Sequence, residues 1–278
     1  MSVPVFLAVL GAALLHAGWN ALVRVGASRA GTMMVLSGVQ GVIGLAVVTT
    51  QPLPGTQVWT WIVASGAIHS AYKLFLTFAY EHGDLGRVYP LARGTAPMIT
   101  LVAGALWLGE AVRPPEAAGI LLLGSGILLL ARGVWTSGES RRMLPFAVGA
   151  ACATAGYTLV DGHGARLAGS STQFVGWLFV VDGLIFAAAM LALRGRAAMP
   201  RAGRVWLAGG IGAAASYASY AVAVWAMTRA PIALVAALRE SSILFAVLIG
   251  WLVLRERMTE AKALSVLMIA AGVALTRL

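Results

Sequence analysis

Charge is what this sequence has least of. Only 11% of its 278 residues are Asp, Glu, Lys or Arg, where soluble domains carry about 25%. With a mean hydropathy of +0.86, that shortfall excludes an ordinary water-soluble globule and leaves a polytopic membrane protein. Cysteine is nearly absent too. The single Cys152 excludes an internal disulfide and any cysteine-based metal cluster. The four histidines are His16, His69, His82 and His163, and the sequence holds no HExxH, no GxSxG and no glycine-rich phosphate loop. Those absences argue against an enzyme, a metal centre, a cofactor and ATP as the energy source. Acidic residues number 10 against 20 basic ones, a net charge of +10. The basic residues form no patch. They sit in short connections, which makes them a topological signal and argues against nucleic acid as a partner.

What is present is apolar length. The chain divides into runs at about 4–23, 32–50, 57–79, 87–109, 117–134, 144–161, 173–193, 205–227, 231–254 and 260–276. Each approaches the ~20 residues needed to span the hydrocarbon core of a bilayer as a helix. No strand-like alternation appears, so helices are the expected spans. The first run, VPVFLAVLGAALLHAGWNAL, has no Lys or Arg ahead of it and no obvious cleavage site. It reads as a retained first helix.

The chain also repeats itself. HAGWNALVRVGA (16–27) aligns without gaps on TAGYTLVDGHGA (154–165), pairing Trp19 with Tyr157. LARGTAPMITLVAGALWLGE (91–110) aligns on AALRESSILFAVLIGWLVLRE (236–256), pairing Arg93 with Arg239 and Glu110 with Glu256. A repeat of five spans crosses the membrane an odd number of times, so the second copy enters from the opposite face. The expected fold is an all-α membrane protein of ten transmembrane helices in two inverted five-helix repeats. The repeats are expected over 1–135 and 144–278, joined by a cytoplasmic linker at 136–143. Thirteen basic residues (Arg24, Arg29, Arg87, Arg132, Arg141, Arg142, Arg194, Arg196, Arg201, Arg204, Arg255, Arg257, Lys262) fall in one set of connections. Four (Arg113, Arg166, Arg229, Arg277) fall in the other. Positive residues stay inside, which predicts both termini in the periplasm.

Three basic residues remain within spans: Lys73, Arg93 and Arg239. Asp182 and Glu240 are the acids recognised there. Such residues cost about 2.5–3.5 kcal/mol at a helix centre and face a bundle interior or a wet cavity. Pro90 and Pro97 flank Arg93 and predict a kinked helix, because Pro97 lacks the N–H that would bond the Arg93 carbonyl. Residues three and four apart share a helix face. His16, Trp19 and Asn20 share one; His69, Tyr72 and Lys73 another; Tyr217 lies near Tyr220, and Ser241 follows Arg239 and Glu240. With Tyr157, these are the expected substrate-binding residues, and Glu240 or Asp182 the expected proton carriers. Glu110 and Glu256 are expected to serve helix ends. The glycines of GILLLGSGILLL (119–130) suit close helix packing or a dimer contact.

HAGWNALVR, VYPLARGTAPMITLVAGALWLGE and LVAALRESSILFAVLIGWLVLRE resemble the drug/metabolite transporter superfamily, specifically bacterial proteins with two tandem EamA domains. The resemblance covers essentially the whole chain. It implies a secondary transporter of the bacterial inner membrane, a monomer or homodimer in the lipid bilayer, carrying a small molecule by alternating access. Family members are often described with both termini cytoplasmic; the arginine count predicts the reverse. A cavity with both charge signs suits a zwitterion, hence amino acids, with a bidentate arginine on the carboxylate. Small organic anions such as phosphonates or organic acids are the alternative.

Overall fold

The computed structural model describes residues 1–24, 29–82, 85–131, 141–252, 255 and 257–277. Among them there is no strand. Twelve α-helices follow one another: α1 Val3–Arg24, α2 Arg29–Val48, α3 Thr56–His82, α4 Leu85–Gly94, α5 Ala96–Trp107, α6 Pro114–Leu130, α7 Leu144–Ala168, α8 Ser171–Arg194, α9 Gly203–Met227, α10 Ile232–Arg239, α11 Ser242–Leu252 and α12 Glu260–Leu275. Six stretches are long and apolar enough to cross a membrane: Gly31–Val48, Thr56–Ala79, Leu144–Ala168, Ser171–Ala198, Gly203–Met227 and Ile232–Leu252. Val3–Gly18 and Pro114–Leu130 are shorter apolar helices. Of the expected linker, 136–140 lies outside the described residues, and Arg141–Met143 is a short 3₁₀ turn leading into α7.

Burial runs opposite to that of a soluble protein. Val42, Leu45, Leu106, Leu184, Leu207 and Leu267 are exposed, while Gln40, His69, Lys73, Arg93, Asp161, Asp182, Arg239 and Glu240 are buried. A helix satisfies its own backbone, so an outward leucine belongs in hydrocarbon and an inward charge needs a partner across the bundle.

The packing has a pattern. The helices of the first half rest mainly on those of the second: α2 on α8, α6 on α12, α3 on α7 and α8, and α9 on α1 and α2. Exchange each helix for its counterpart in the other repeat, and this set maps onto itself. The contact α3–α7 becomes α9–α1, and α3–α8 becomes α9–α2. The contacts α2–α8 and α6–α12 become themselves. The partners of α7 in α4 and α5 are likewise mirrored by those of α1 in α10 and α11.

In lipid, helices gain nothing from hiding apolar surface, so they associate through close backbone approach and polar contacts. A Cβ on Gly44 would lie 2.5 Å from the Gly176 carbonyl, and Cβ atoms on Gly119 and Gly272 would each lie 2.7 Å from the other's carbonyl. Gly124 and Gly126 press on Met98 and Met268 in the same way. The glycines of 119–130 therefore serve contacts inside the chain. The termini also meet, with Arg277 Nη1 donating to the Met1 carbonyl at 3.0 Å. Met1, Val5 and Val9 share an apolar cluster with Met227, Ile232 and Leu108, so both termini lie at the end where α9 finishes and α10 begins.

Candidate functional site

The fourth and ninth apolar runs are each two helices. The first breaks at Thr95, between α4 and α5. Pro97 sits in the opening turn of α5, where its missing N–H costs nothing. The second breaks at Glu240 and Ser241, between α10 and α11. The outcome at Pro97 is sharper than the expected kink, because the helix stops and restarts. Pro90 marks no break: α4 continues through it to Gly94. The two breaks are equivalent. The alignment that pairs Arg93 with Arg239 has an offset of 146, and α11 starts at Ser242, 242 − 96 = 146 residues after α5 starts at Ala96.

Each break puts an arginine in the last turn of its first half-helix, where the dipole favours a cation. The guanidinium of Arg93 forks onto Glu240, with Nε to Oε2 at 2.8 Å and Nη2 to Oε1 at 2.6 Å. Both side chains are almost wholly buried, at 3% and 4% exposure. Arg93 Nη1 also reaches the Tyr157 hydroxyl at 3.5 Å. Arg239 is different. Its guanidinium lies over the Tyr220 ring, 4.8 Å from the centroid, and among the described residues no carboxylate is within ion-pair distance of it. His16 is within electrostatic range of both arginines.

Below them lies an aromatic layer with a carboxylate at its base. His69 stacks on Tyr157 at 4.0 Å between centroids and meets Tyr220 edge-on at 5.2 Å. Tyr72 stands edge-on to Tyr157, and Tyr217 packs on Phe179. Asp161 is fully buried. Ser65 and Tyr220 donate hydroxyls to it, and His69 Nε2 lies 2.9 Å from its Oδ2.

Two expected site residues form a separate cluster one turn along α3. Lys73 pairs with Asp182 and also donates to Ser37 at 2.6 Å. Ser70 donates to the other oxygen of Asp182 at 3.0 Å. The Ser241 hydroxyl donates to the Leu238 carbonyl at 2.6 Å and so holds the break rather than an open space. The side chains of Trp19 and Asn20 lie outside the described residues, as does Glu256. Glu110 does more than finish α5. It accepts the Ile232 amide at the start of α10 at 2.8 Å and pairs with Arg166 at 2.7 Å. Arg166 in turn donates to the carbonyls of Met227 and Ala230.

Sequence reasoning missed Ser65 and Asp161. The sixth span was expected to end at 161, but α7 runs seven residues further, to Ala168. DGHGAR looks like a loop by composition, yet Asp161 and Arg166 find partners on neighbouring helices. A usable signal was there: Tyr157 and Asp161 are four apart and share a helix face.

A family model described as "EamA-like transporter family" matches residues 3–132 and again residues 141–278. Among solved structures, one titled "Crystal structure of protein" is similar over 100% of this chain and 99% of its own, with a TM-score of 0.76 and 18% identity. That likeness concerns the fold. No curated protein sequence matches the chain.

Proposed function

Because the chain belongs to the EamA-like transporter family, we propose that this multi-pass membrane transporter is a secondary carrier of amino acids working by alternating access. Counting α4 with α5 and α10 with α11, the helices make ten spans in two inverted repeats. The contact between Met1 and Arg277 supports an even number of crossings. The arginine count puts both termini in the periplasm of a bacterial inner membrane, and a tag at either end is then labelled without breaching that membrane.

One observation carries the substrate reading. Two equivalent helix breaks bring Arg93, Arg239 and Glu240 into one buried cluster whose second arginine has no carboxylate partner among the described residues. In transporters of inverted-repeat design, interrupted helices bind substrate near the midplane, because their ends leave backbone groups and dipoles unsatisfied. A substrate carboxylate on Arg239 supplies the missing acceptor in bidentate form. Its ammonium meets Glu240. Tyr72, Tyr157 and Tyr217 pack on the rest of the molecule. A second reading, small organic anions, rests on the fork itself, since both Glu240 oxygens already accept from Arg93.

Counterflow in proteoliposomes tests both. Labelled amino acids are expected to exchange, and Arg239→Gln is expected to weaken binding about 10- to 100-fold through loss of charge-assisted bonds. Exchange of organic acids or phosphonates alone selects the second reading. Unchanged affinity in Arg239→Gln removes the arginine from the site.

A further inference from the structure

The cluster beneath the arginines has a composition the substrate site does not require. Asp161 is fully buried seven residues before the end of α7, and its donors are two hydroxyls and one imidazole. Elsewhere in the bundle buried carboxylates face fixed cations, as Asp182 faces Lys73 and Glu240 faces Arg93. Among the described residues no lysine or arginine is within ion-pair distance of Asp161; its basic partner is His69. An imidazole titrates near neutrality where an ammonium or guanidinium does not.

We infer that Asp161 and His69 form a proton-binding dyad that couples transport to the pH gradient, a role that rests on the carrier reading above. With no added proton, Asp161 is the carboxylate and neutral His69 donates Nε2–H to Oδ2; the pair carries one negative charge. One proton makes the pair neutral overall, either as carboxylate and imidazolium or as carboxylic acid and imidazole. Ser65 and Tyr220 donate to the carboxylate in the charged form and hold its orientation in the other. The proton enters through His69, whose Nδ1 has no protein partner among the described residues and whose side chain keeps 7% exposure. It leaves to the opposite face once the carrier has turned over.

The surrounding charges are accounted for. On α3, besides His69, lie Tyr72 and Lys73, the latter held by Asp182 of α8. On α7, Tyr157 faces Arg93, His163 packs on Trp61, and Arg166 pairs with Glu110. From α4 comes Arg93, held by Glu240. From α9 come Tyr217 and Tyr220, and from α10 Arg239, stacked on Tyr220. Tyr220 is the link. Its hydroxyl donates to Asp161 while its ring carries Arg239. A substrate that draws Arg239 off that ring therefore changes the environment of the dyad, and the proton changes the hold on the substrate.

The test separates exchange from accumulation. In wild-type proteoliposomes, a pH gradient of one unit and suitable polarity supports up to about tenfold accumulation of the counterflow substrate at one proton per molecule. Asp161→Asn is expected to keep counterflow while losing that accumulation. Equal loss of both in a folded, monodisperse variant overturns the proposal. So does wild-type accumulation driven by a sodium gradient and indifferent to pH. Failure of every labelled substrate to exchange counts against the carrier reading instead, and the dyad is then read without substrate. Infrared titration of the wild-type protein in lipid is expected to show a buried carboxyl or imidazolium band as pH falls, absent from Asp161→Asn. Identical titrations in the two proteins overturn the dyad.

Discussion

Among the described residues, two pairs of a lysine or arginine with a carboxylate have both side chains buried, and they are differently equipped. At Lys73 and Asp182, both carboxylate oxygens have donors, from Lys73 and Ser70, and the ammonium also bonds Ser37. Four side chains from α2, α3 and α8 close on one another. At Arg93 and Glu240 the fork is equally complete, but a second arginine stands beside it with an aromatic face for company. Burial and the signs of the charges do not distinguish the two. What distinguishes them is the balance of cations and acceptors, and the position of the second pair at two helix breaks. The first pair locks helices together, and in the reading proposed above the second leaves room in its chemistry for a ligand.

The largest expected effect falls on the closed pair. Lys73→Met leaves Asp182 charged and alone, at a cost of about 3–5 kcal/mol. Thermal unfolding in detergent is expected to drop sharply for this variant and to recover in Lys73→Met with Asp182→Asn. A single variant as stable as wild type would erase the contrast. Next comes the difference between the two arginines. Arg93→Gln is expected to destabilise the fold, because it strands Glu240, whereas Arg239→Gln keeps its unfolding temperature and loses substrate. Adding Glu240→Gln to Arg93→Gln should restore stability but not transport. Equal stability of the two single variants would mean that the fork matters less than its geometry suggests. Smaller again is Gly44→Ala, whose Cβ meets a backbone oxygen at 2.5 Å. Overpacking of this kind costs about 1–3 kcal/mol. The expected result is a lower unfolding temperature with substrate affinity intact, separating helix contact from site chemistry.

Much of this was legible in the residues. Apolar length located most helices to within a few residues, the C-terminal end of α7 excepted, since an 18-residue hydrophobic stretch has few alternatives. Pro97 signalled a kink near Arg93, but the break at Glu240 and Ser241 carries no proline and was not expected; the alignment of Arg93 with Arg239 shows its equivalence once both breaks are seen. Pairing was not legible. Lys73 was read as substrate-binding and Asp182 as a proton carrier, yet the structure sets one against the other. They are 109 residues apart, and their meeting depends on how α3 crosses α8, which no local pattern records. The same holds for Arg93 and Glu240, 147 residues apart. Asp161 was missed because composition near a helix end looks the same whether its polar groups face water or a neighbouring helix.

The glycine contacts carry one more consequence. When a two-fold operation exchanges the halves of a molecule, a helix that touches its own counterpart must do so across the axis. The crossings α2–α8 and α6–α12 are of this kind, and at each of them glycine meets glycine. An interconversion that swaps the conformations of the two halves leaves such points where they are. Where Gly44 meets Gly176 and Gly119 meets Gly272 the backbones approach directly, so those contacts themselves hold no rotamer that such an interconversion would have to change. In the alternating-access reading proposed above, they are the fulcrum about which the bundle would rock.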